Sequence, residues 1–224
     1  QLKCEVDYFV LFGSKDAVYR RLKQAYPEQV YHLKGLKSSL SPINDLIVCF
    51  RLFNFVKILR PDLIHSHSSK AGLIARIVSA IVDVPVVHTV HGWPWRGFNI
   101  IKKNFLIFIE KLFSKHSRTH YIGVANCVFE EANAAGIYLD EADCSVLHNT
   151  VSIVNDHIED DGYEILGDYL VMPARVCAAK DHKKVATAFD LSDYQGRLVF
   201  AGGGVENPAF KDDIFNLRMS KKNN

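Results

Sequence analysis

Four histidines stand where two neighbouring apolar segments of the sequence end. His65 and His67 belong to HSHSSKAG, and His88 and His91 belong to HTVHGW. In open parallel α/β sheets the ligand crevice lies at the carboxyl ends of the strands, so this placement predicts contact with a ligand. We assign the most specific role to His91. For His65 and His88, which lie within their strands, a buried structural role is an open alternative.

Small residues accompany these histidines. Gly72 and Gly92 would let backbone or a ligand approach closely. Ser68 and Ser69 can cap the helix that starts there and direct its positive end at an anion. The candidates for the crevice wall are His67, Ser68, Gly92 and Trp93.

A metal site is an alternative role for the first histidine pair. The H-x-H spacing of His65 and His67 can ligate zinc at a strand end. No nearby Asp-His pair or third carboxylate completes such a ligand set. We therefore expect no bound metal, and a metal-dependent hydrolase that uses His65 and His67 is the less favoured hypothesis.

A second group of candidates lies nearer the end of the chain. Arg175 and Lys180 flank the turn before DHKKVATAF, so two cations and a helix N-terminus can converge on one anion such as a diphosphate. The alternative is a pair of solvated surface cations. Gly203 lies in the glycine run 202–204, which could cradle phosphate although it lacks the G-x-G-x-x-G and G-K-S/T spacings.

The elements that must position these residues alternate between two hydrophobic periods. Apolar runs of strand length are separated by longer segments of helical period, which predicts an α/β fold with a Rossmann-like parallel sheet and flanking helices. One helix should begin after Ser41, with Pro42 at its first position, and end before Pro61, and another should span 181–189. The predicted strands are 5–12, 29–33, 62–65, 84–89, 119–124, 145–147, 169–172 and 198–201.

A polar, acidic stretch divides this pattern. The letters NDHIEDDG occupy residues 155–162, after which the strand-helix-strand pattern restarts. We predict one domain at 1–154, a linker at 155–165 and a partial second domain at 166–224. Two strands and one helix are too little to bury a core of their own.

The composition limits the class of partner. The chain has 224 residues, of which 48% are hydrophobic, and its formal net charge of +2 is too near neutral for a broad nucleic-acid footprint, so we expect no nucleic-acid partner. The five cysteines are scattered and never form C-x-x-C, which favours a reducing cytoplasm. No apolar stretch reaches the roughly 20 residues that a membrane-spanning helix needs.

One segment indicates a membrane surface instead. Residues 97–118 interleave Ile, Leu and Phe with five basic residues, and Trp93 and Trp95 precede them. A basic, Phe-rich amphipathic helix can lie on an anionic membrane, whereas the alternative is an ordinary core helix. We therefore expect a cytoplasmic protein and hypothesise that it binds the inner face of the membrane peripherally.

Six segments carry a resemblance to a known family. HSHSSKAG, VPVVHTVHGWPW, IEKLFSKHSRTHYIGVA and VLHNTV resemble, in order and spacing, the family 4 glycosyltransferases of the GT-B fold, of the bacterial cell-surface glycan type. PARVCAAKDH and LVFAGGG are similar to that family's phosphate-binding turn and glycine loop. The resemblance covers residues 59–204.

The resemblance implies a two-domain enzyme with its active site between two Rossmann-like halves. Such an enzyme would move a hexose, with retention, from a nucleotide sugar, expected to be UDP-linked, to a glycan or lipid-linked saccharide, as in capsule or O-antigen polysaccharide biosynthesis, without metal or cofactor. His91 would lie beside the donor sugar, and Arg175 with Lys180 would clamp the diphosphate, where preorganised cations stabilise the charge that develops on the leaving group.

The sequence departs from the family pattern at both ends. The family's glycine-rich first strand and loop are absent, as are the two donor-contacting glutamates that stand eight positions apart. We therefore expect a chain truncated at both ends, with an acceptor-side domain that lacks its first strand. A fragment that only binds a nucleotide or a partner is the alternative to an active enzyme.

Overall fold

The computed structural model describes residues 6–37, 41–95, 98–116, 118–137, 139–150, 167–177 and 180–214. These residues belong to two units, Gln1–Ser152 (unit 1) and Ile153–Asn224 (unit 2), and each is described by itself. The predicted domain bounds stay a prediction, because the predicted linker 155–165 lies outside the described residues.

Unit 1 alternates strands and helices, which confirms the predicted α/β class. Its described strands pair in parallel and form two sheets, of order β1–β2 and β3–β4–β5–β6. The strands are β1 (Val10–Phe12), β2 (Val30–His32), β3 (Ile64–His67), β4 (Val86–Val90), β5 (Thr119–Gly123) and β6 (Cys144–Val146). The helices are α1 (Ala17–Ala25), α2 (Pro42–Leu59), α3 (Ser69–Val82), α4 (Ile100–His116) and α5 (Asn126–Ala134).

The β3–β4 pair begins two residues later than predicted. Pro85 has no N–H to donate to a ladder, so pairing starts where the Ile64 N–H donates to the Pro85 carbonyl at 3.0 Å and Ile64 lies opposite Val86. As a result, His67 is the last residue of β3 and lies opposite Thr89. This register brings the ends of both histidine segments to one edge of the sheet.

Helix α2 confirms its predicted start and end. Pro42 occupies the first turn after Ser41, and Arg60 adopts a left-handed conformation directly before Pro61. A stripe of buried side chains at a spacing of four residues packs against α3 and the sheets. The buried members of this core are Leu33, Val48, Leu52, Val56, Ile74 and Val78.

A fully buried arginine connects α3 to α4 and β5. The Arg76 guanidinium lies 2.8 Å from the Glu110 carboxylate of α4 and donates to the Tyr121 hydroxyl of β5 at 2.7 Å. Its Nε donates to the Gly72 carbonyl at 3.1 Å. Because a buried charge needs partners, this network fixes where α3, which follows the histidines of β3, sits on the sheet.

Unit 2 contains a parallel pair, β7 (Tyr169–Pro173) and β8 (Arg197–Ala201), connected through helix α6 (His182–Leu191). Each element lies within two residues of its predicted bounds. Pro173 lies opposite Ala201, so the turn after β7 and the glycine run after β8 leave the same end of the pair.

Candidate active site

The carboxyl edge of β3 and β4 brings the predicted histidines together. His67 ends β3, and His91 directly follows β4. Nδ1 of His67 lies 3.3 Å from Nε2 of His91, and the two rings stack with centroids 5.6 Å apart. Both side chains are exposed, so a ligand can reach this pair.

His65 extends the pair into a row of three imidazoles. Its ring centroid lies 4.5 Å from that of His67, and its Nε2 lies 2.9 Å from the Thr89 hydroxyl. The pKa of His67 lies below its ordinary value because of partial burial and, next, the neighbouring charges that His65 and His91 would carry. The lowered pKa favours a neutral His67 imidazole, which can both accept and donate a hydrogen bond.

His88 belongs to the core and not to this row. It is 2% exposed, and its Nδ1 lies 3.0 Å from the Ser66 hydroxyl and 3.2 Å from the Ser66 carbonyl. Burial, with a smaller contribution from the Arg76 charge, lowers its pKa to about 3. Strand alternation explains the division, because Ser66 lies opposite His88 on one face while His65 and His67 project from the other.

The two glycines near the histidines have different roles. A Cβ on Gly72 would lie 2.3 Å from Cε1 of His88, so the close approach that this glycine permits is to a core ring and not to a ligand. A Cβ on Gly92 would meet no atom within 4 Å. The space beside Gly92, next to His91, is therefore open, as a cleft residue requires.

Ser68 marks the start of α3, as predicted, but its side chain makes no capping hydrogen bond. The predicted capping role of its hydroxyl is thus wrong. Its φ of 68° is rare for a residue with a side chain and costs on the order of 1–3 kcal/mol. This strain lies directly after His67, where the N-terminal end of α3 carries the partial positive charge that favours an anion.

Trp93 is not at the surface of the site. Its indole is 5% exposed, stacks on Trp95 at a centroid distance of 4.8 Å, and donates to the Val128 carbonyl of α5 at 2.7 Å. This burial does not support its predicted place in the crevice wall. Trp93 instead anchors the loop that carries His91 and Gly92 against α5.

The predicted donor-side residues of unit 2 lie around one turn. Arg175 and Lys180 are both exposed between β7 and α6, whose N-cap Asp181 accepts from the Lys184 N–H at 3.3 Å. The Val176 N–H donates to the Gly203 carbonyl at 2.8 Å, so the glycine run touches the same turn. A Cβ on Gly203 would meet no atom within 4 Å. That Arg175, Lys180 and Gly203 face one anion stays a prediction.

The sequence patterns missed a histidine that shapes this turn. His182, in the first turn of α6, is 4% exposed and packs against Phe200 and Phe210. Its Nε2 lies 3.3 Å from the Ala174 carbonyl, next to Arg175. It fixes the start of α6 to the end of β7. Its position in DHKKVATAF, on the apolar face of a predicted helix, was the available signal.

Helix α4 presents an apolar stripe to solvent. Ile101, Phe105, Phe108 and Leu112 are 44–79% exposed, and their spacing of three or four residues places them on one face. The core-helix alternative therefore does not describe this face. None of the described helices has both the length and the hydropathy that crossing a membrane requires.

The described residues contain no group of three or more His, Cys, Asp and Glu side chains arranged to hold a metal ion.

Comparison with known proteins links unit 1 to one family. The model of Glycosyltransferase Family 4 matches residues 1–154. The UDP-Gal:alpha-D-GlcNAc-diphosphoundecaprenol alpha-1,3-galactosyltransferase of Escherichia coli is 28% identical over 131 residues, which are 56% of this chain and 32% of the E. coli protein. The chain thus spans about a third of the length of this relative.

Solved structures share the fold at low sequence identity. Anabaena HepE in complex with UDP-glucose matches with a TM-score of 0.67 at 13% identity, over 95% of this chain and 57% of that one. The UDP-GlcNAc 2-epimerase of Methanocaldococcus jannaschii matches with a TM-score of 0.57 at 14% identity, over 98% and 63%. These likenesses confirm the predicted GT-B architecture, and they do so for the fold alone.

Proposed function

Because the chain belongs to Glycosyltransferase Family 4, we propose that the whole protein transfers a hexose from a nucleotide-sugar donor to a lipid-linked saccharide, with retention of the anomeric configuration. The observation that carries the proposal is the contact between His67 and His91 at the carboxyl edge of the matched unit, beside the open space at Gly92. An exposed, paired imidazole at this edge is suited to hydrogen bonding with a sugar hydroxyl.

In this proposal His91 contacts the donor sugar, and His67 positions the ring of His91. The 3.3 Å contact needs one nitrogen to carry the proton and the other to accept it, so the tautomers of the two rings are coupled. This coupling fixes the orientation of the His91 ring. A hydrogen-bonding group that is already oriented stabilises a transition state better than one that must first reorient.

Arg175 and Lys180 bind the diphosphate of the donor in the proposed reaction. Cleavage of the glycosidic bond leaves added negative charge on the nucleoside diphosphate, and cations already in place stabilise that charge more than the ground state. The N-terminus of α6 adds its positive end at the same turn. We propose that these groups, and no metal ion, neutralise the leaving group.

The substrate classes are taken from the relatives. The E. coli relative is named for a UDP-Gal donor and a diphosphoundecaprenol-linked GlcNAc acceptor, and HepE has a structure with UDP-glucose. By analogy we propose a UDP-linked hexose as donor and a lipid-linked saccharide of a capsule or O-antigen type pathway as acceptor. Such an acceptor is anchored in a membrane, so the exposed apolar stripe of α4 would meet the inner, anionic surface peripherally.

The test is transfer by the full-length protein and by three variants. We expect His91→Ala to lower kcat about hundredfold with a small effect on the KM for the donor, because the lost contact forms mainly in the transition state. Arg175→Ala and Lys180→Ala should also raise that KM. The matched control is His120→Ala, since His120 stands near the amino end of β5, where it bonds the Ser145 hydroxyl. Wild-type kinetics for His91→Ala would exclude its assigned role.

A separate binding measurement distinguishes an enzyme from a fragment that only binds. Stabilisation of the protein by UDP, without hydrolysis or transfer from any UDP-sugar by the full-length protein, would leave the binding alternative and refute the proposed reaction.

A further inference from the structure

A long groove lies over α3, between α2 and α4. Its cavity has a volume of about 1300 Å³. Ile77 and Ile81 of α3 form part of its floor, Leu46 and Phe50 of α2 stand on one side, and Ile109 of α4 stands on the other. Several of these side chains remain strongly exposed, including Leu46 at 72% and Ile81 at 67%. The groove is therefore an open apolar surface that the described residues leave uncovered.

The shape and chemistry of the groove select a long apolar ligand. From Ser69 to Ile81 its floor extends on the order of 18 Å, at 1.5 Å per helical residue. Its volume exceeds the roughly 300–1,000 Å³ of ordinary small-molecule sites. Three of its charged side chains are engaged with opposite charges, since Asp45 pairs with Lys70 at 2.8 Å and Glu110 pairs with Arg76. A sugar nucleotide would find few polar partners along it, whereas a hydrocarbon chain fits.

One end of the groove opens at the candidate active site. The helices α3 and α4 follow β3 and β4 of one parallel sheet, so their N-terminal ends lie on its carboxyl side, where His67 and His91 stand. Ser68, Ser69 and Pro94 line this end, and Ser68 directly follows His67. The groove is therefore continuous with the site.

The same end carries positive charge. The N-terminal ends of α3 and α4, each longer than eight residues, bring partial positive charge there. Lys102, in the first turn of α4, lines the groove with its Nζ 3.7 Å from the centroid of the Phe98 ring. This end of the groove can stabilise an anionic group, and the apolar part beyond it can hold a hydrocarbon chain. A lipid diphosphate has its charged group and its chain in the same order.

From this arrangement we infer that the groove between α2, α3 and α4 binds the polyprenyl chain of the lipid-linked acceptor, with the diphosphate beside Lys102 and the N-terminal ends of α3 and α4. This inference rests on the proposed function for the identity of the acceptor. The acceptor sugar then extends from the diphosphate toward His67 and His91. By anchoring the chain, the groove would determine how far the acceptor sugar extends toward His67 and His91.

Binding of two probes to the full-length protein in detergent micelles tests this inference. The probes are undecaprenyl diphosphate and octyl diphosphate, which share the head group and differ in chain length. Leu46→Gln and Ile81→Gln remove apolar contacts from exposed positions of the groove. The matched control is Ile58→Gln, because Ile58 also lies on α2, is 79% exposed and does not line the groove.

We expect Leu46→Gln and Ile81→Gln each to weaken undecaprenyl diphosphate binding about tenfold. Ile81→Gln should leave octyl diphosphate binding unchanged, because Ile81 lies on the order of 18 Å along α3 from Ser69, beyond the reach of an eight-carbon chain. Ile58→Gln should bind both probes as the wild type does, and Lys102→Gln should weaken both. A photoreactive undecaprenyl diphosphate should label α2, α3 or α4. Equal binding by all apolar variants would overturn the inference, as would labelling elsewhere, which would indicate that another segment fills the groove.

The outcome is independent of the proposed reaction. Chain-length-dependent binding that Leu46→Gln weakens would support the groove even if no sugar transfer is found. Transfer that is equally efficient with long-chain and short-chain acceptors, in wild type and Leu46→Gln alike, would support the reaction and overturn the groove. Loss of vesicle binding by Leu46→Gln with unchanged binding in micelles would also overturn it, because the residue would then contact bilayer and not acceptor.

Discussion

Position 72 requires a glycine because the ring of His88 leaves no room for a side chain. The ring is buried and held at Nδ1 by Ser66, so it has little freedom to move away from a side chain at position 72, where a Cβ would lie 2.3–2.6 Å from three ring atoms. Alanine would favour the helix by up to about 1 kcal/mol. Overpacking of this kind costs about 1–3 kcal/mol, so the clash should dominate.

We therefore predict that Gly72→Ala lowers the free energy of unfolding by about 1–2 kcal/mol in urea denaturation. Gly203→Ala is the control, because a Cβ there meets no atom within 4 Å, and its stability should match the wild type. Equal stability of the two variants would show that the His88 ring can move aside.

His88 also makes stability depend on pH. Its folded-state pKa is about 3 against an ordinary value of 6.5, so above pH 6.5 it is neutral in both states and its contribution is complete. Between pH 6.5 and 3 the unfolded chain takes up a proton that the folded chain excludes, which costs about 1.4 kcal/mol per pH unit.

The prediction is that the unfolding free energy of the wild type falls more steeply from pH 6.5 to 4.5 than that of His88→Gln, which has no proton to take up at this position. Other groups titrate in both proteins, so the difference between the two slopes is the quantity to measure. Parallel slopes would mean that His88 takes up its proton as readily in the folded state as in the unfolded state.

At the scale of elements, a buried ion pair joins α3 to α4. We predict that Glu110→Ala costs about 3–5 kcal/mol of unfolding free energy, because it leaves the Arg76 charge buried without its carboxylate. The double variant Arg76→Met/Glu110→Leu should recover much of this loss. A comparison pair is Arg118 with Asp83, which lie 3.0 Å apart, against 2.8 Å for the buried pair, but whose side chains are 68% and 82% exposed. Arg118→Ala should change stability little, since water screens exposed pairs. A similarly small effect for Glu110→Ala would contradict the importance of the buried pair.

Local patterns were sufficient to predict most elements. Pro42 and Pro61 determine where α2 begins and ends, because proline restricts its own backbone and that of the preceding residue. The start of β3 was two residues off, because it depends on where pairing with β4 begins, and Pro85 on the partner strand decides that. The register between two strands cannot be predicted from the hydrophobic periodicity of one of them.

The site was predictable in location and less so in detail. The position of His67 and His91 at strand ends predicted only contact with a ligand, and the structure adds that the two rings meet there. The burial of Trp93 and the role of Gly72 depend on partners far away in sequence, Val128 and His88, so no local pattern could indicate them. Arg76 in the apolar run GLIARIVSAIV was a signal of a buried charge, but its partner Glu110 is visible only in the fold.

At the scale of the whole molecule, overall charge does not explain how the protein would reach a membrane-bound acceptor. A formal net charge of +2 gives little long-range attraction, so a local apolar surface must supply most of the binding energy. The stripe on α4 offers this surface, with Phe105 and Phe108 at 56% and 61% exposure and the exposed Lys103 nearby. Insertion of two Phe side chains is worth a few kcal/mol, more than the roughly 1 kcal/mol that a single lysine contributes at an anionic surface.

We therefore predict that Phe105→Ser/Phe108→Ser lowers co-sedimentation of the full-length protein with anionic vesicles at low salt at least tenfold, about the effect of losing 1.4 kcal/mol. Lys103→Gln should have a smaller effect that disappears when salt screens the charge. Leu191→Ser serves as the control, because Leu191 is 75% exposed but lies in unit 2. If this control lost as much binding as the α4 variant, the apolar stripe would not be the membrane contact. The protein would then have to contact the membrane that holds its acceptor through another surface.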